Sequence, residues 1–253
     1  MITETHYGFQ IKNGVHVSHA AEIRFSDFEK CYLEVREKEK RVLSIEEIKK
    51  LPYVERGNPH YALWKTRRRN IKRFLKYLSQ KKKPLNILDV GCGNGFFTNL
   101  MQAQGQNVMG LDVNFIELRQ AAEAFGASKI TWVYADIFSD NLPENKFDVI
   151  TFCSSFQYFE NPGQLLKRCK ALLNTAGEIH IIDSPVYPEA EIESAKIRSI
   201  NYFRDIDSEH MLQYYHHTSR QVFDDYDITF RYKPNKFRMK VFKDSPFPWI
   251  VVK

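Results

Sequence analysis

From residue 85 onward the hydrophobic positions keep two alternating rhythms. Apolar runs of five to seven residues occupy 85–90, 107–112, 130–134, 147–153 and 177–183, each bounded by Gly, Asn, Asp or Lys; these are strand lengths with turn signals at their ends. Between them, 96–104, 115–125 and 163–173 carry apolar residues three or four apart, the stripe of an amphipathic helix. Asn114 is placed to cap the second of these helices and Gly126 to end it. Strands alternating with helices of about ten residues predict a parallel sheet covered on both faces. Right-handed crossovers then bring every strand C-terminus to one edge, where ligands bind.

The flanks follow other patterns. In 7–17, alternating apolar positions surround Asn13-Gly14, a hairpin signal. Ser26-Asp27-Phe28-Glu29 and Ser44-Ile45-Glu46-Glu47 match capping boxes and predict two helix starts, the second helix short and closed near Pro52. Residues 1–58 thus read as an appended lobe or lid, and 59–253 as the main domain. Residues 59–80 contain a helix with Leu63, Arg67, Ile71, Phe74, Leu75 and Leu78 along one stripe. Beyond Pro185 the rhythm changes again: helices are predicted at 189–199 and 205–215, and strands at 226–232, 237–242 and 249–252, the last ones pairing as an antiparallel hairpin at the sheet edge. No internal repeat is present.

Composition adds three constraints. Apolar residues make up 43% and charged residues 27%, the balance of a globular domain with a sizeable core. No run reaches the roughly 18 apolar residues of a membrane span, the first ten residues lack the features of a secretory leader, and Cys31, Cys92, Cys153 and Cys169 share no zinc-type or CxxC spacing; a cytoplasmic protein with reduced thiols is expected. The net charge of +6 is local: ten basic and no acidic residues lie between Lys65 and Lys83, and without them the sum would be negative. A basic stretch of this kind suits either a solvated helix face or a phosphate backbone.

The chemistry gathers at the predicted strand ends. In LNILDVGCGNGFFT the first strand runs through Asp89 into Gly91, Gly93 and Gly95, and a helix follows. A glycine turn ahead of a helix N-terminus lets a ligand approach bare backbone and favours an anion there. Asp112 ends the second strand 21 residues after Gly91, the place from which a carboxylate accepts hydrogen bonds from both ribose hydroxyls. Asp136 follows the third strand, within reach of an adenine amino group, and Val113 and Ile137 are placed to sandwich the base. The glycine spacing matches neither the dinucleotide fingerprint nor a P-loop, and Asp89 would repel a pyrophosphate but hold an ammonium. A nucleoside joined to an amino acid, S-adenosylmethionine, satisfies all three features.

LDVGCGNG, GLDVN, ADIF and FDVITFCSSFQYFENP, in this order and at these spacings, resemble the successive motifs of the class I S-adenosylmethionine-dependent methyltransferases, in particular small-molecule, type 11-like members. The resemblance covers about residues 64–183. It implies a Rossmann-like, doubly wound α/β fold: a seven-stranded sheet, mostly parallel with an antiparallel C-terminal hairpin, an N-terminal lobe, and an acceptor-side insert at about 185–225. It implies S-adenosylmethionine as methyl donor, S-adenosylhomocysteine as product, no metal, and a small-molecule acceptor methylated on O, N or C. The loop residues Gly91, Cys92, Gly93 and Gly95 would contact the methionine part together with Asp89 and Ser154, Asp112 the ribose, and Val113, Asp136 and Ile137 the adenine. HYALWKTRR resembles a Trp-x-x-x-Arg segment of some members, which marks Trp64 and Arg68 as facing the methionine carboxylate. The chain departs from the family where many relatives carry a His pair: here stand Gln157 and Tyr158, and Asn161-Pro162 replaces the usual Asp-Pro.

Methyl transfer is an in-line displacement in which positioning supplies much of the rate; a hydroxyl acceptor also needs a base. Tyr158 and Gln157, just past the fourth strand, and Asp183, at the end of the fifth, are the acceptor-side candidates. His180, inside a predicted strand, reads as a core histidine, whereas Tyr214, Tyr215, His216 and His217 form a polar-aromatic cluster. Two other readings are an RNA methyltransferase using the basic helix 65–83, and a binding module that keeps the donor site without catalysis. A nicotinamide enzyme is opposed by the loop spacing and Asp89. The sequence specifies no oligomeric state.

Overall fold

The computed structural model describes residues 9–138, 142–242 and 244–253; the segment read for a leader lies mostly outside them. Among the described residues nine strands form one sheet, in the order β1 (Gln10–Lys12), β2 (Val15–Val17), β5 (Thr131–Tyr134), β4 (Asn107–Asp112), β3 (Asn86–Val90), β6 (Phe147–Cys153), β7 (Leu173–Ile182), β9 (Trp249–Val252), β8 (Ile228–Tyr232). Its centre is the predicted parallel set, β3 to β7. β9 runs antiparallel to β7 and to β8, completing the seven strands expected. β1 and β2 form the Asn13-Gly14 hairpin, and β2 pairs in parallel with β5, so the N-terminal hairpin continues the sheet.

Neighbouring residues of β3 face opposite layers, as the two-residue period of a strand requires. Ile87 packs with Ile71 and Phe74 of α3 (Tyr61–Leu78) and with Phe97 and Met101 of α4 (Phe96–Gln102). Leu88 packs on the other side with Leu165 and Leu166 of α6 (Pro162–Leu172). His180 is a core residue as expected: the Trp249 indole N–H donates to its Nδ1 at 3.1 Å, and burial keeps its pKa low.

α5 (Phe115–Phe125) starts on the predicted cap, Asn114 Oδ1 accepting from Glu117 N at 3.0 Å. α2 (Ile45–Lys50) starts on a complete capping box between Ser44 and Glu47. The box predicted at Ser26 is not used. α1 (His19–Lys38) begins eight residues earlier, with Ser18 in the N-cap position; the Ser18 N–H donates to Tyr134 O at 2.9 Å. The chain leaves β2 there and nothing between residues 19 and 26 stops a helix.

The C-terminal part differs at two further places. Residues 237–242, predicted as a strand, belong to α8 (Lys236–Phe242); Asn235 caps it, accepting from Arg238 N at 3.1 Å. Phe237 and Val241, whose spacing fits either structure, are both exposed, so no neighbouring layer enforces a strand. The predicted helices at 189–199 and 205–215 become α7 (Ile192–Asp205) and a 3-10 turn at Glu209–Tyr214. They are separated at Asp207, where φ is +50°, a left-handed value that ends a helix. Among the described residues, no helix is long and apolar enough to cross a membrane.

Candidate functional site

All the strand ends predicted to carry chemistry open onto one cleft. Its two chambers, of about 570 and 540 Å³, share Tyr32, Gly91, Gly93, Glu117, Ser154 and Tyr158 as lining.

The loop after β3 is fixed from beneath. Gly91 has φ +70°, and a Cβ there would lie 2.3 Å from Ser155 Cβ; only glycine fits both the conformation and the space. Gly93 donates its N–H to Asp112 Oδ2 at 2.6 Å, while Asn114 N donates to Oδ1 at 2.9 Å. The Val113 N–H also approaches this carboxylate; with about four acceptor positions on an ionised carboxylate, about one remains for a ligand. Burial raises the Asp112 pKa to about 6 against the lowering effect of these N–H donors.

Asp112, Val113, Leu111, Ile137 and Phe25 of α1 give the first chamber a carboxylate and apolar walls. Asp136 lines it as expected but already accepts from Arg24 Nη1 at 2.7 Å. Asn114 is also in this lining, and its Nδ2 is buried without a hydrogen-bond partner among the described residues. An unpartnered donor next to a carboxylate with spare acceptor capacity matches the oxygens and hydroxyls of a ribose.

The second chamber contains Trp64, Cys92, Gln157 and Asp183 from the predicted set, together with Arg36, Arg41, Arg67 and Arg198. Asp183 Oδ1 accepts from Asn70 Nδ2 and from Ser245 Oγ; Oδ2 is buried without a partner, as is Gln157 Oε1, among the described residues. Burial raises the Asp183 pKa, and the nearby Arg67 charge opposes that shift. Ser154 and Asp183, at the ends of β6 and β7, have φ of +60° and +52°. A non-glycine residue held there costs on the order of 1–3 kcal/mol, a strain concentrated at functional sites.

Three predicted donor-site residues do not line the cleft. Arg68 points away, its guanidinium 5.1 Å from the centre of the Tyr53 ring, whereas Arg67, over Trp64 at 5.3 Å, lines the second chamber. Asp89 lies beneath the loop, accepting from Thr98 Oγ1 at 2.6 Å and Thr151 Oγ1 at 2.7 Å. Burial raises its pKa to about 6. Gly95 begins α4 with φ +73°, and a Cβ would meet the Trp132 ring at 2.4 Å; its role is packing. Of the polar-aromatic cluster, Tyr214 and His216 line the first chamber and Tyr215 the second. His217 instead shares a hydrogen bond with Ser199 Oγ at 2.9 Å.

Several residues that carry charge into the cleft, Arg36, Arg41, Arg67, Arg198 and Glu117 among them, are not marked by the sequence reading. Arg67 had a signal, since it interrupts an apolar stripe of its helix. Glu117 had none: it is one of two acids on α5, and only the fold shows that it lines both chambers between Asp112 and the arginines. Burial and the Asp112 charge raise its pKa to about 7.

A mostly parallel sheet whose strand ends open onto a chamber with a carboxylate and apolar walls places the chain among the Rossmann-like α/β proteins. The chain belongs to a methyltransferase-domain family, whose model matches residues 63–229. A ubiquinone biosynthesis O-methyltransferase from Actinobacillus pleuropneumoniae serotype 7 is 33% identical over 113 residues, 41% of this chain and 48% of that protein. The chain spans about half the length of the curated relatives it matches. Among solved structures, the YcgJ protein from Bacillus subtilis is similar with a TM-score of 0.56 at 18% identity, over 66% of this chain and 72% of that one. The plantazolicin methyltransferase BpumL in complex with SAH is similar with a TM-score of 0.52 at 20% identity, over 92% of this chain and 99% of that one. These two likenesses establish the fold.

Proposed function

We propose that this protein transfers a methyl group from S-adenosylmethionine to a small-molecule acceptor. The observation that carries the reading is the continuity of the two chambers at Gly91, Gly93, Ser154 and Tyr158: a nucleoside in the first would place its amino-acid arm across bare loop backbone toward the second. The matching family model and the SAH bound to the BpumL neighbour support this choice of donor.

In this reading Asp112 and Asn114 hold the ribose, Val113 and Ile137 flank the adenine, and Arg67, on its Trp64 platform, receives the carboxylate of the amino-acid arm in place of Arg68. S-adenosylmethionine supplies an electrophilic methyl group on a sulfonium that becomes a neutral thioether. The protein's part is to align acceptor and methyl, to exclude water, and to take up a proton. Tyr158 lines both chambers, and Gln157 and Asp183 line the second; all three are assigned to the acceptor side. Residues 1–58 serve as a lid, since α1 contributes Phe25, Phe28 and Tyr32 to the cleft wall, and residues 185–225 complete the acceptor side through Tyr187, Arg198 and Tyr215.

The basic run counts less toward nucleic acid than its sequence suggests. Arg67 faces the cleft, Arg68 lies on Tyr53, Arg73 pairs with Asp244 at 2.7 Å and Lys81 approaches Glu178 at 3.5 Å. We also assign the protein to the cytoplasm, on its four free cysteines.

Thermal unfolding with and without donor tests the reading. A native-state ligand at a hundred times its Kd stabilises by about 2.7 kcal/mol, so S-adenosylmethionine and S-adenosylhomocysteine are expected to raise Tm by several degrees. No shift at millimolar concentrations of either overturns the donor assignment.

A further inference from the structure

The second chamber has a charge and hydrogen-bonding pattern of its own. Four arginines line it against three acids, Glu39, Glu117 and Asp183; with Arg67 given to the donor, three arginines face three acids, one of which, Glu117, is held toward its neutral form by burial and the Asp112 charge, so positive charge is in excess. Glu39 Oε2 is shared by Arg36 at 3.0 Å and Arg41 at 3.2 Å, two guanidinium groups on one oxygen, and Oε1 accepts from Tyr202. Arg36 Nε is buried with no hydrogen-bond partner among the described residues. Arg198 bonds Ser194 Oγ at 3.2 Å rather than an acid. The unpartnered acceptors, Asp183 Oδ2 and Gln157 Oε1, come from the ends of β7 and β6. Tyr187, Tyr202, Phe203, Tyr215 and Phe247 form much of the remaining wall.

Buried polar atoms without partners are costly unless a ligand completes them. Here the donors and excess positive charge come from α1, the loop after it and α7, and the acceptors from the strand ends. We propose that the second chamber receives an aromatic acceptor that carries an anionic group, bound by Arg36, Arg41 and Arg198, and an N–H or O–H nucleophile, bound by Asp183 Oδ2 and Gln157 Oε1. This rests on the methyl-transfer reading for its chemistry and on the chamber alone for its binding. In the reaction, the nucleophile's lone pair forms the new bond to the methyl carbon. The carbon–sulfur pair stays with sulfur, neutralising the sulfonium, and the proton leaves the N–H or O–H for Asp183 Oδ2.

The test uses benzoic acids bearing a 3-amino or 3-hydroxy group, the methyl ester of each, and the 3-methoxy and 3-dimethylamino acids that lack the hydrogen. Binding is measured by calorimetry with and without S-adenosylhomocysteine. The wild type is expected to bind the free acids at least tenfold more tightly than the esters, and R36Q/R198Q to lose that preference while retaining its S-adenosylhomocysteine affinity within about twofold. The wild type is also expected to favour the amino and hydroxy acids over their methylated counterparts. D183N keeps an oxygen for Asn70 and Ser245 but turns the other position into a donor, and is expected to abolish this second preference; Q157L provides the same comparison if D183N does not fold. The amino and hydroxy arms distinguish nitrogen from oxygen as nucleophile. Equal binding of acids and esters, failure of every free acid to bind, or a carboxylate preference unchanged in R36Q/R198Q overturns the proposal. Failure of S-adenosylhomocysteine to bind overturns the donor reading instead and leaves these comparisons decisive in its absence.

Discussion

The backbone N–H of Gly93 donates to Asp112 Oδ2 at 2.6 Å, so the glycine loop and the end of β4 are one unit. The contact does two things: it neutralises part of a buried charge, and it fixes the carboxylate against the loop that would carry the amino-acid arm. Asp112→Ala removes both the carboxylate assigned to the ribose under the proposed function and the loop's anchor. Hydrogen bonds to a charged group contribute about 1.5–3 kcal/mol each, so a loss of at least tenfold in S-adenosylhomocysteine affinity is expected. Calorimetric titration of the variant checks it; an unchanged Kd would remove Asp112 from the donor site.

Arg67 and Arg68 are neighbours in sequence but face different surroundings, one over Trp64 in the cleft and the other over Tyr53. Arg67→Ala is expected to weaken S-adenosylhomocysteine about tenfold, the value of one charge-assisted contact to a carboxylate. Arg68→Ala is expected to leave it within twofold. Titrating both variants side by side, with adenosine as a ligand that lacks the carboxylate, decides the assignment: adenosine binding should not respond to either change.

This pair also shows where sequence was informative. The strand–helix rhythm from 85 to 183 gave the parallel centre of the sheet, because buried strands and amphipathic helices have distinct periods. Asp112, Val113, Ile137 and Ser154 were legible because their places depend on strand ends alone. Arg67 against Arg68 was a question of helix phase, about 100° per residue, and the apolar stripe through Leu63, Ile71 and Phe74 held the answer. Asp89 could not be placed this way. Whether an acid at a strand end points into the cleft or under the loop depends on Thr98 and Thr151, residues of other elements. The cationic character of the second chamber was similarly hidden, since Arg36, Arg41 and Arg198 are brought together only by the packing of α1 and α7 over the strand ends.

Asp89 gives a pH dependence with a definite sign. Its folded pKa, about 6, is above the ordinary value of 3.8 because burial outweighs the two threonine donors. Between these values the folded state binds more protons than the unfolded one, so the contribution is fully present below about pH 4 and lost as pH rises through 6. A shift of about two units corresponds to roughly 2–3 kcal/mol. Asp89→Asn does not titrate. The stability of the wild type relative to this variant, from urea unfolding at pH 4.5 to 7.5, is expected to fall by that order as pH rises. A difference independent of pH, or one that grows, contradicts the burial under the loop of a carboxylate held by two hydroxyl donors alone.

Gly95 separates packing from ligand binding within the glycine loop. It starts α4 at φ +73°, and a Cβ would lie 2.4 Å from the Trp132 ring and 2.7 Å from Ala121 Cβ. A left-handed conformation costs a non-glycine residue about 1–2 kcal/mol, and overpacking typically adds about 1–3 kcal/mol. Gly95→Ala is therefore expected to destabilise by about 2–5 kcal/mol in urea unfolding. Trp132→Leu leaves a cavity in the wild-type background but makes room for the new methyl, so the double variant should be more stable than the sum of the single changes predicts. A coupling of about 1 kcal/mol or more is large enough to measure. If the changes are additive, the cost of Gly95→Ala lies in the backbone alone and the indole is not what excludes a side chain there.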